Sequence, residues 1–286
     1  MKYGVIDIGS NSVRLMISDG VRTLYKTNKV TKLGEGVAND AILSSKAINR
    51  TVDAIKNFYD LAFSCPVDEI YIFATAAVRQ SKNRQEFIDK VYNSCGVNLT
   101  VLSADEEAFV GALGATLNGT GGVIDVGGAS SEVIVMKGGE VQYSKSLPIG
   151  CVKLYDMFLD KQSEIDAFLS KILLEYGTVP NSEFYAIGGT ATSIASMLLE
   201  LKEYDKDLVN GYKIDLVNVN KLLKKLGEMK LEERRKIVGL QPERAEVIFS
   251  GVYLIKMIME YLNLSVVTVS ESDNLEGFLK WKLEGL

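Results

Sequence analysis

The sequence predicts an α/β protein of two related lobes, each with a mixed sheet flanked by helices. Three observations carry that prediction. The frame apolar-apolar-Asp-apolar-Gly-x-x-Ser occurs twice, as Val5-Ile6-Asp7-Ile8-Gly9-Ser10-Asn11-Ser12 and as Val123-Ile124-Asp125-Val126-Gly127-Gly128-Ala129-Ser130. The copies lie 118 residues apart, counted from Asp7 to Asp125. Strand and helix patterns alternate in each half, which implies α/β lobes. Finally, Gly9 and Gly127 each lead into another strand, whereas in a dinucleotide-binding fold the glycine-rich turn leads straight into a helix. A chain of 286 residues has room for two domains of ordinary size.

The elements follow in order. Residues 5–8, 13–18 and 24–30 read as strands, with Asp19-Gly20 as the turn between the second and third. Ser44 or Ser45 caps a helix expected to run to residue 63, with Ile48, Val52, Ile55, Tyr59 and Ala62 on one face. Residues 69–74 form a buried strand, 83–93 a helix and 99–102 a further strand. Ser103-Ala104-Asp105-Glu106 is a capping box that opens a helix through residue 115. Asn118-Gly119-Thr120-Gly121-Gly122 breaks the pattern and sets the domain boundary. The lobes are thus expected at 1–117 and 118–286, with the last helix able to pack back on the first. The second lobe repeats strand, glycine turn, strand, a turn at Gly138-Gly139, and strand. Beyond Gly150 the pattern is mostly helical, with strands at 183–187 and 265–269.

Composition narrows the chemistry. Apolar content of 47% and charged content of 24% are those of soluble globular proteins. No apolar run reaches the ~18–20 residues of a membrane span, and no signal peptide is visible, so a cytoplasmic protein is expected. Cys65, Cys95 and Cys151 form no CxxC pair and read as buried free thiols. A net charge of −5 argues against nucleic-acid binding but leaves room for an anionic substrate at a local basic patch. The chain contains no histidine. Ser-His-Asp and Cys-His catalysis, phosphohistidine chemistry and histidine-ligated metals are therefore excluded. Proton transfer and metal binding fall to carboxylates, hydroxyls and lysines, and oxygen ligands of that kind suit Mg²⁺.

Glycine in a strand-terminal turn lets backbone N–H groups approach a ligand, and neighbouring Ser and Asn add donors, so each copy of the frame is a candidate phosphate cradle. A third loop, Ala186-Ile187-Gly188-Gly189-Thr190-Ala191-Thr192, also ends a strand and opens a helix, whose N-terminus favours an anion. Asp125, leaving a strand beside Gly127-Gly128, suits Mg²⁺ directly or through water. Glu132 follows seven residues later in the next strand, placed to point back toward the same site.

The three loops resemble those of the actin, heat-shock-chaperone and sugar-kinase superfamily, which implies two actin-like (ribonuclease H-like) lobes with the active site in the cleft between them. Within it, the segments Gly4-Val5-Ile6-Asp7-Ile8-Gly9-Ser10-Asn11-Ser12-Val13-Arg14-Leu15, Ala74-Thr75-Ala76-Ala77-Val78-Arg79-Gln80 with Asn83, Leu102-Ser103-Ala104-Asp105-Glu106-Glu107-Ala108, Ile124 through Glu132, Leu147-Pro148-Ile149-Gly150, Gly239-Leu240-Gln241-Pro242-Glu243-Arg244-Ala245 and Val267-Thr268-Val269-Ser270 resemble the exopolyphosphatase/guanosine pentaphosphate phosphohydrolase (Ppx/GppA) family. The resemblance spans nearly the whole chain. It implies Mg²⁺-dependent hydrolysis of the terminal phosphate of inorganic polyphosphate by a glutamate-activated water. The same hydrolysis of guanosine pentaphosphate is the nearest alternative, and a catalytically weak polyphosphate or nucleotide sensor is one of another class.

The resemblance also implies roles. Glu106 matches the general base, although its position alone reads as the acidic partner of the capping box. Glu132 is catalytic and, with Asp125 and Asp7, a metal candidate. Gly9, Ser10, Asn11, Ser12, Gly127, Gly128, Ala129, Ser130, Gly188, Gly189 and Thr190 are the phosphate-binding candidates, joined by Arg79 in a Thr/Ala-rich turn, with Arg14 and Lys153 weaker. A homodimer is expected at family level, with neither nucleic acid nor membrane as partner. Two departures stand out: Ala129 replaces the usual third glycine, and Asp273-Asn274-Leu275-Glu276-Gly277 stands where Gly-Leu-Arg-Glu-Gly is common, losing an arginine and gaining an acid. Lys221, Lys224, Lys225, Lys230, Arg234, Arg235 and Lys236 read as a solvated basic face, or as a guide for a polyanionic chain.

Overall fold

The computed structural model describes residues 1–35, 41–116 and 119–285. The boundary expected between residues 117 and 118 falls outside the described residues. Two compact units are present, one of Met1–Gly114 with Asn274–Leu286, the other of Ala115–Asp273.

The first unit runs β1 (Tyr3–Ile8), β2 (Ser12–Ser18), β3 (Thr23–Val30), α1 (Ser45–Ser64), β4 (Glu69–Ala74), α2 (Ala76–Arg79), α3 (Arg84–Cys95), β5 (Leu99–Val101) and α4 (Ala104–Ala115). Its sheet has the order β3-β2-β1-β4-β5. β1 pairs antiparallel with β2 and parallel with β4. Every residue of β1 is buried, which explains an apolar run broken only by Asp7. Strand alternation divides its side chains between two cores. Ile6 and Ile8 join Val13, Leu15 and Ile17 against Ile48 and Ile55 of α1 and Phe87 and Val91 of α3. Tyr3 and Val5 lie in the other core, with Met16, Phe73 and Val110. α1 is capped by Ser44, whose hydroxyl accepts from the Ala47 N–H at 3.2 Å.

The second unit continues with β6 (Gly121–Val126), β7 (Ser131–Lys137), β8 (Glu140–Leu147), α5 (Cys151–Phe158), α6 (Gln162–Ile172), a 3-10 turn (Leu173–Tyr176), β9 (Phe184–Ile187), α7 (Gly188–Leu198), α8 (Lys206–Val209), β10 (Lys213–Asp215), α9 (Leu216–Glu228), α10 (Leu231–Arg234), a 3-10 turn (Pro242–Arg244), α11 (Ile248–Tyr261) and β11 (Val266–Val269). The sheet order is β10-β11-β9-β6-β7-β8. β6, β7 and β8 therefore repeat β1, β2 and β3, β9 repeats β4, and β11 repeats β5. The β7–β8 turn is Gly138-Gly139 with φ of 61° and 83°, the left-handed pair that a two-residue hairpin requires.

The last helix, α12 (Asn274–Glu284), belongs to the first unit. Phe278 stacks on Phe73 with ring centroids 4.3 Å apart, and Leu275 and Leu279 complete the core around Val110.

Three features differ from expectation. β10 has no counterpart among the expected strands, because Lys-Ile-Asp carries a single apolar residue and its place is set by antiparallel pairing with β11. Arg79 ends a short helix, α2, rather than sitting in a turn. Arg234 is not part of a solvated face but is 5% exposed. Its Nη1 donates to Asp160 Oδ2 at 2.5 Å, its Nε to the Leu226 carbonyl at 3.0 Å, and its guanidinium lies over the Phe249 ring. Burial pushes the Asp160 carboxyl up, and Arg234 pulls it back. The Arg234 contact closes on a backbone turn in which Leu159 and Asp160 both have positive φ, 51° and 40°. Arg234→Ala leaves the half-buried Asp160 carboxylate without its ion partner and the Leu226 carbonyl without its donor, and is expected to destabilise the protein by about 1–3 kcal/mol. A urea-unfolding midpoint equal to that of the wild type would reject this reading.

Candidate active site

The duplicated loops share one backbone design. The Gly9 N–H donates to the Ser12 carbonyl at 3.0 Å, and the Gly127 N–H to the Ser130 carbonyl at 3.0 Å. In each, loop carbonyls are tied into the protein. Ser10 O accepts from Gly34 at 2.7 Å, and Asn11 O from Thr31 and Lys32 at 2.9 and 2.8 Å. Gly127 O accepts from Cys151 at 2.9 Å, and Gly128 O from Val152 and Lys153 at 3.0 and 3.1 Å, at the start of α5. Gly150 permits that contact, because a Cβ there would lie 2.4 Å from Gly127 O. Among the described residues, the N–H groups of Ser10, Asn11, Gly128 and Ala129 donate to no protein group, nor do the side chains of Ser10, Asn11, Ser12 and Ser130. Outward donors on a fixed backbone are what an anion cradle requires. Ala129 is exposed within this turn.

The carboxylates break the symmetry. In the first unit Asp7 lies directly across from Arg14, and in the second Asp125 lies directly across from Glu132. Directly opposed residues of antiparallel strands share a face, with Cβ atoms roughly 5 Å apart. Asp7, 3% exposed, accepts from Arg14 Nε at 2.9 Å and also from its Nη2. Its counter-charge thus comes from the protein. Asp125 lies across from a second acid, and like charges placed directly opposite repel. Glu132 Oε1 accepts from the Ser146 hydroxyl at 2.6 Å.

The third loop closes against this pair. Gly188, with φ of 79°, starts α7, and a Cβ there would lie 2.6 Å from Asp125 Oδ1. Gly189 packs on the Arg244 guanidinium, whose Nη1 and Nη2 would both be 2.2 Å from a Cβ at 189. The Thr190 hydroxyl donates to the Val126 carbonyl at 3.0 Å, so this side chain ties the loop to β6. Gly188→Ala should cost about 1–3 kcal/mol in backbone strain and push the Asp125 carboxylate aside. Lower thermal stability together with weakened Mg²⁺ binding is the expected result, and wild-type Mg²⁺ affinity would contradict it.

On the first unit, Ser103 and Glu106 form the complete capping box. The Ser103 N–H donates to Glu106 Oε2 at 2.8 Å, and the Glu106 N–H to the Ser103 hydroxyl at 3.1 Å. Glu106 Oε1 makes no bond to the protein among the described residues, so capping occupies only one oxygen. Arg79 Nη1 donates to the Leu102 carbonyl at 2.9 Å and to Glu107 Oε2 at 2.7 Å, which fixes the guanidinium against the start of α4. Glu106 and Arg79 line one cavity of about 460 Å³.

Other candidates stand apart. Lys153 Nζ donates to the Pro148 carbonyl at 2.7 Å. Leu275, at the position of the missing arginine, is 1% exposed in the core. Glu276 pairs with Lys26 at 2.7 Å and accepts from Thr23 at 2.9 Å. The lysines at 221, 224, 225, 230 and 236 are exposed, as is Arg235, which pairs with Glu232 at 2.6 Å. Cys95 and Cys151 are buried free thiols, while Cys65 is only half-buried. Burial pushes the Cys151 thiol up. Arg244 lies in a sequence motif that by itself assigns it no role. Its only local signal is the Gln-Pro-Glu-Arg turn that carries it.

Asp125 and Glu132 fit Mg²⁺, which is commonly held by one or two carboxylates together with waters and substrate phosphates. Among the described residues no three acidic or cysteine side chains gather into a ready metal cage, so such an ion would depend on the substrate for ligands. Among the same residues no helix is long and apolar enough to cross a membrane.

Residues 12–284 match the model of the Ppx/GppA phosphatase family. A bifunctional 3-dehydroquinate synthase/phosphatase of Fusobacterium nucleatum is 29% identical over 98% of this chain and 46% of its own length. A guanosine-5'-triphosphate,3'-diphosphate pyrophosphatase of Aliivibrio fischeri is 31% identical over 96% of this chain and 58% of its own. The chain thus spans about half the length of these curated relatives. The crystal structure of the Aquifex aeolicus Ppx/GppA family member superposes with a TM-score of 0.90 at 28% identity, covering 100% of this chain and 98% of that one.

Proposed function

Because the chain belongs to the Ppx/GppA phosphatase family, we propose that it is a phosphoanhydride hydrolase that removes the terminal phosphate of inorganic polyphosphate. The observation that carries the proposal is the opposition of Asp125 and Glu132 beside a loop in which the Gly128 and Ala129 N–H groups are unengaged. Divalent-metal dependence is general in this family. Asp125 and Glu132 would hold Mg²⁺, which when bound neutralises charge on the transferred phosphoryl group. The unengaged donors of Ser10–Ser12 in the first unit, and those of Gly128–Ser130 and the start of α7 in the second, are each suited to binding and orienting phosphate oxygens. Glu106 takes the proton of the attacking water on Oε1, while Ser103 holds Oε2. Hydrolysis of this kind needs positioning and charge stabilisation more than covalent chemistry, which suits a site without histidine.

A second reading, terminal-phosphate hydrolysis of guanosine pentaphosphate, is favoured by the name of the Aliivibrio fischeri relative. The test follows phosphate release from long-chain polyphosphate and from guanosine pentaphosphate, with Mg²⁺ and with EDTA. Mg²⁺-dependent release, fastest from polyphosphate, is expected. Faster release from the nucleotide would move the assignment to the second reading. Tight binding of either without release would leave a sensor.

A further inference from the structure

The cavity that holds Glu106 contains a cation for which neither the family motifs nor the roles above account. Arg84 lines it together with Arg79, Gln85 and Ser103. It is exposed and has no hydrogen-bond or ion-pair partner among the described residues. Arg79 is fixed through Nη1 alone, and its Nε and Nη2 bond to no described residue. Arg84 is also the first residue of α3, whose N-cap, Asn83, makes no capping bond. The Asn83 side chain is engaged with Leu43, accepting from its N–H at 2.9 Å and donating to its carbonyl at 3.0 Å. The first N–H groups of a twelve-residue helix thus lack a side-chain cap beside two guanidinium groups with unengaged donors.

We propose that Arg84, Arg79 and the start of α3 form a phosphate subsite that takes the orthophosphate released by the reaction. A guanidinium fork and a helix N-terminus are both suited to a phosphate dianion. The location favours product over incoming chain. In an in-line displacement the attacking water stands opposite the leaving chain. A cavity shared with the group that activates water therefore lies on the side away from that chain. This step rests on the proposed role of Glu106, whereas the anion site itself does not. Glu107 is already paired with Arg79, so Glu106 is the acid that opposes phosphate here, and it is neutral just after it has taken the proton of water. Return of that proton to solvent restores the repulsion and favours release.

Equilibrium binding by calorimetry, without turnover, tests the subsite with two probes: inorganic phosphate and methylenediphosphonate, a bridged analogue of the chain end. Arg84→Gln should weaken phosphate binding about tenfold or more, as expected for one lost charge-assisted hydrogen bond. Arg84→Lys should recover part of it. Lys90→Gln, which removes an exposed cation paired with Glu86 on the same helix, should change nothing. Phosphate binding unaltered in Arg84→Gln overturns the proposal, as does absence of phosphate binding by the wild type. A loss confined to the bridged analogue overturns the assignment to released product. The hydrolase reading fails separately: a protein that binds phosphate through Arg84 but hydrolyses neither substrate would defeat that reading alone.

Discussion

Glu106→Gln is expected to lower phosphate release by roughly 10²–10⁴-fold, the usual contribution of a positioned general base. The fold should survive the change. Glutamine keeps an oxygen for the Ser103 N–H at the start of α4, and the lost charge at a helix N-terminus costs at most about 1 kcal/mol. Equal thermal midpoints with nearly abolished turnover would therefore separate chemistry from capping. Phosphate release at the wild-type rate would remove Glu106 from the role of base. The capping box also explains how an acid at the edge of a helix is held in one orientation. Two bonds fix Oε2 and the backbone, and Oε1 remains for water.

Glu132→Arg should convert the second unit to the pattern of the first. Asp7 faces Arg14 and accepts two of its donors, and an arginine at 132 would face Asp125 in the same register. The variant should fold at least as stably as the wild type without metal, because one like-charge pair is replaced by an ion pair. It should also lose Mg²⁺-stimulated release by at least about a hundredfold, since metal contributes several kcal/mol to phosphoryl transfer. A thermal-shift titration gives an independent readout. Mg²⁺ should raise the melting temperature of the wild type by mass action and leave that of the variant unmoved. Equal Mg²⁺ shifts in both proteins would place the ion elsewhere.

The duplicated frame made most of this legible before any coordinates. Asp7, Gly9 and Ser12 foretold β1, its turn and β2, and the same spacing foretold β6 and β7, because a buried strand, a tight turn and a hydroxyl-rich exit are each local sequence properties. Ser103 and Glu106 likewise announced their own helix start. What stayed hidden depends on partners distant in sequence. The contrast between Arg14 and Glu132 has meaning only once register sets each opposite its aspartate. Arg234 looked like one more cation in a basic run until Asp160, 74 residues away, met it under the surface. Arg244 touches Gly189 across a gap no periodicity reports. Arg84 gave no signal at all, since an arginine at a helix start is ordinary until a cavity is seen beside it.

The measurement that bears most directly on the account is single-turnover hydrolysis of polyphosphate in ¹⁸O-labelled water with Mg²⁺ present, read by mass spectrometry of the products. If water activated at Glu106 attacks the terminal phosphorus, each released orthophosphate carries one ¹⁸O and the shortened chain carries none. Label in the chain rather than in orthophosphate, or release of pyrophosphate units, would contradict terminal hydrolysis at this site.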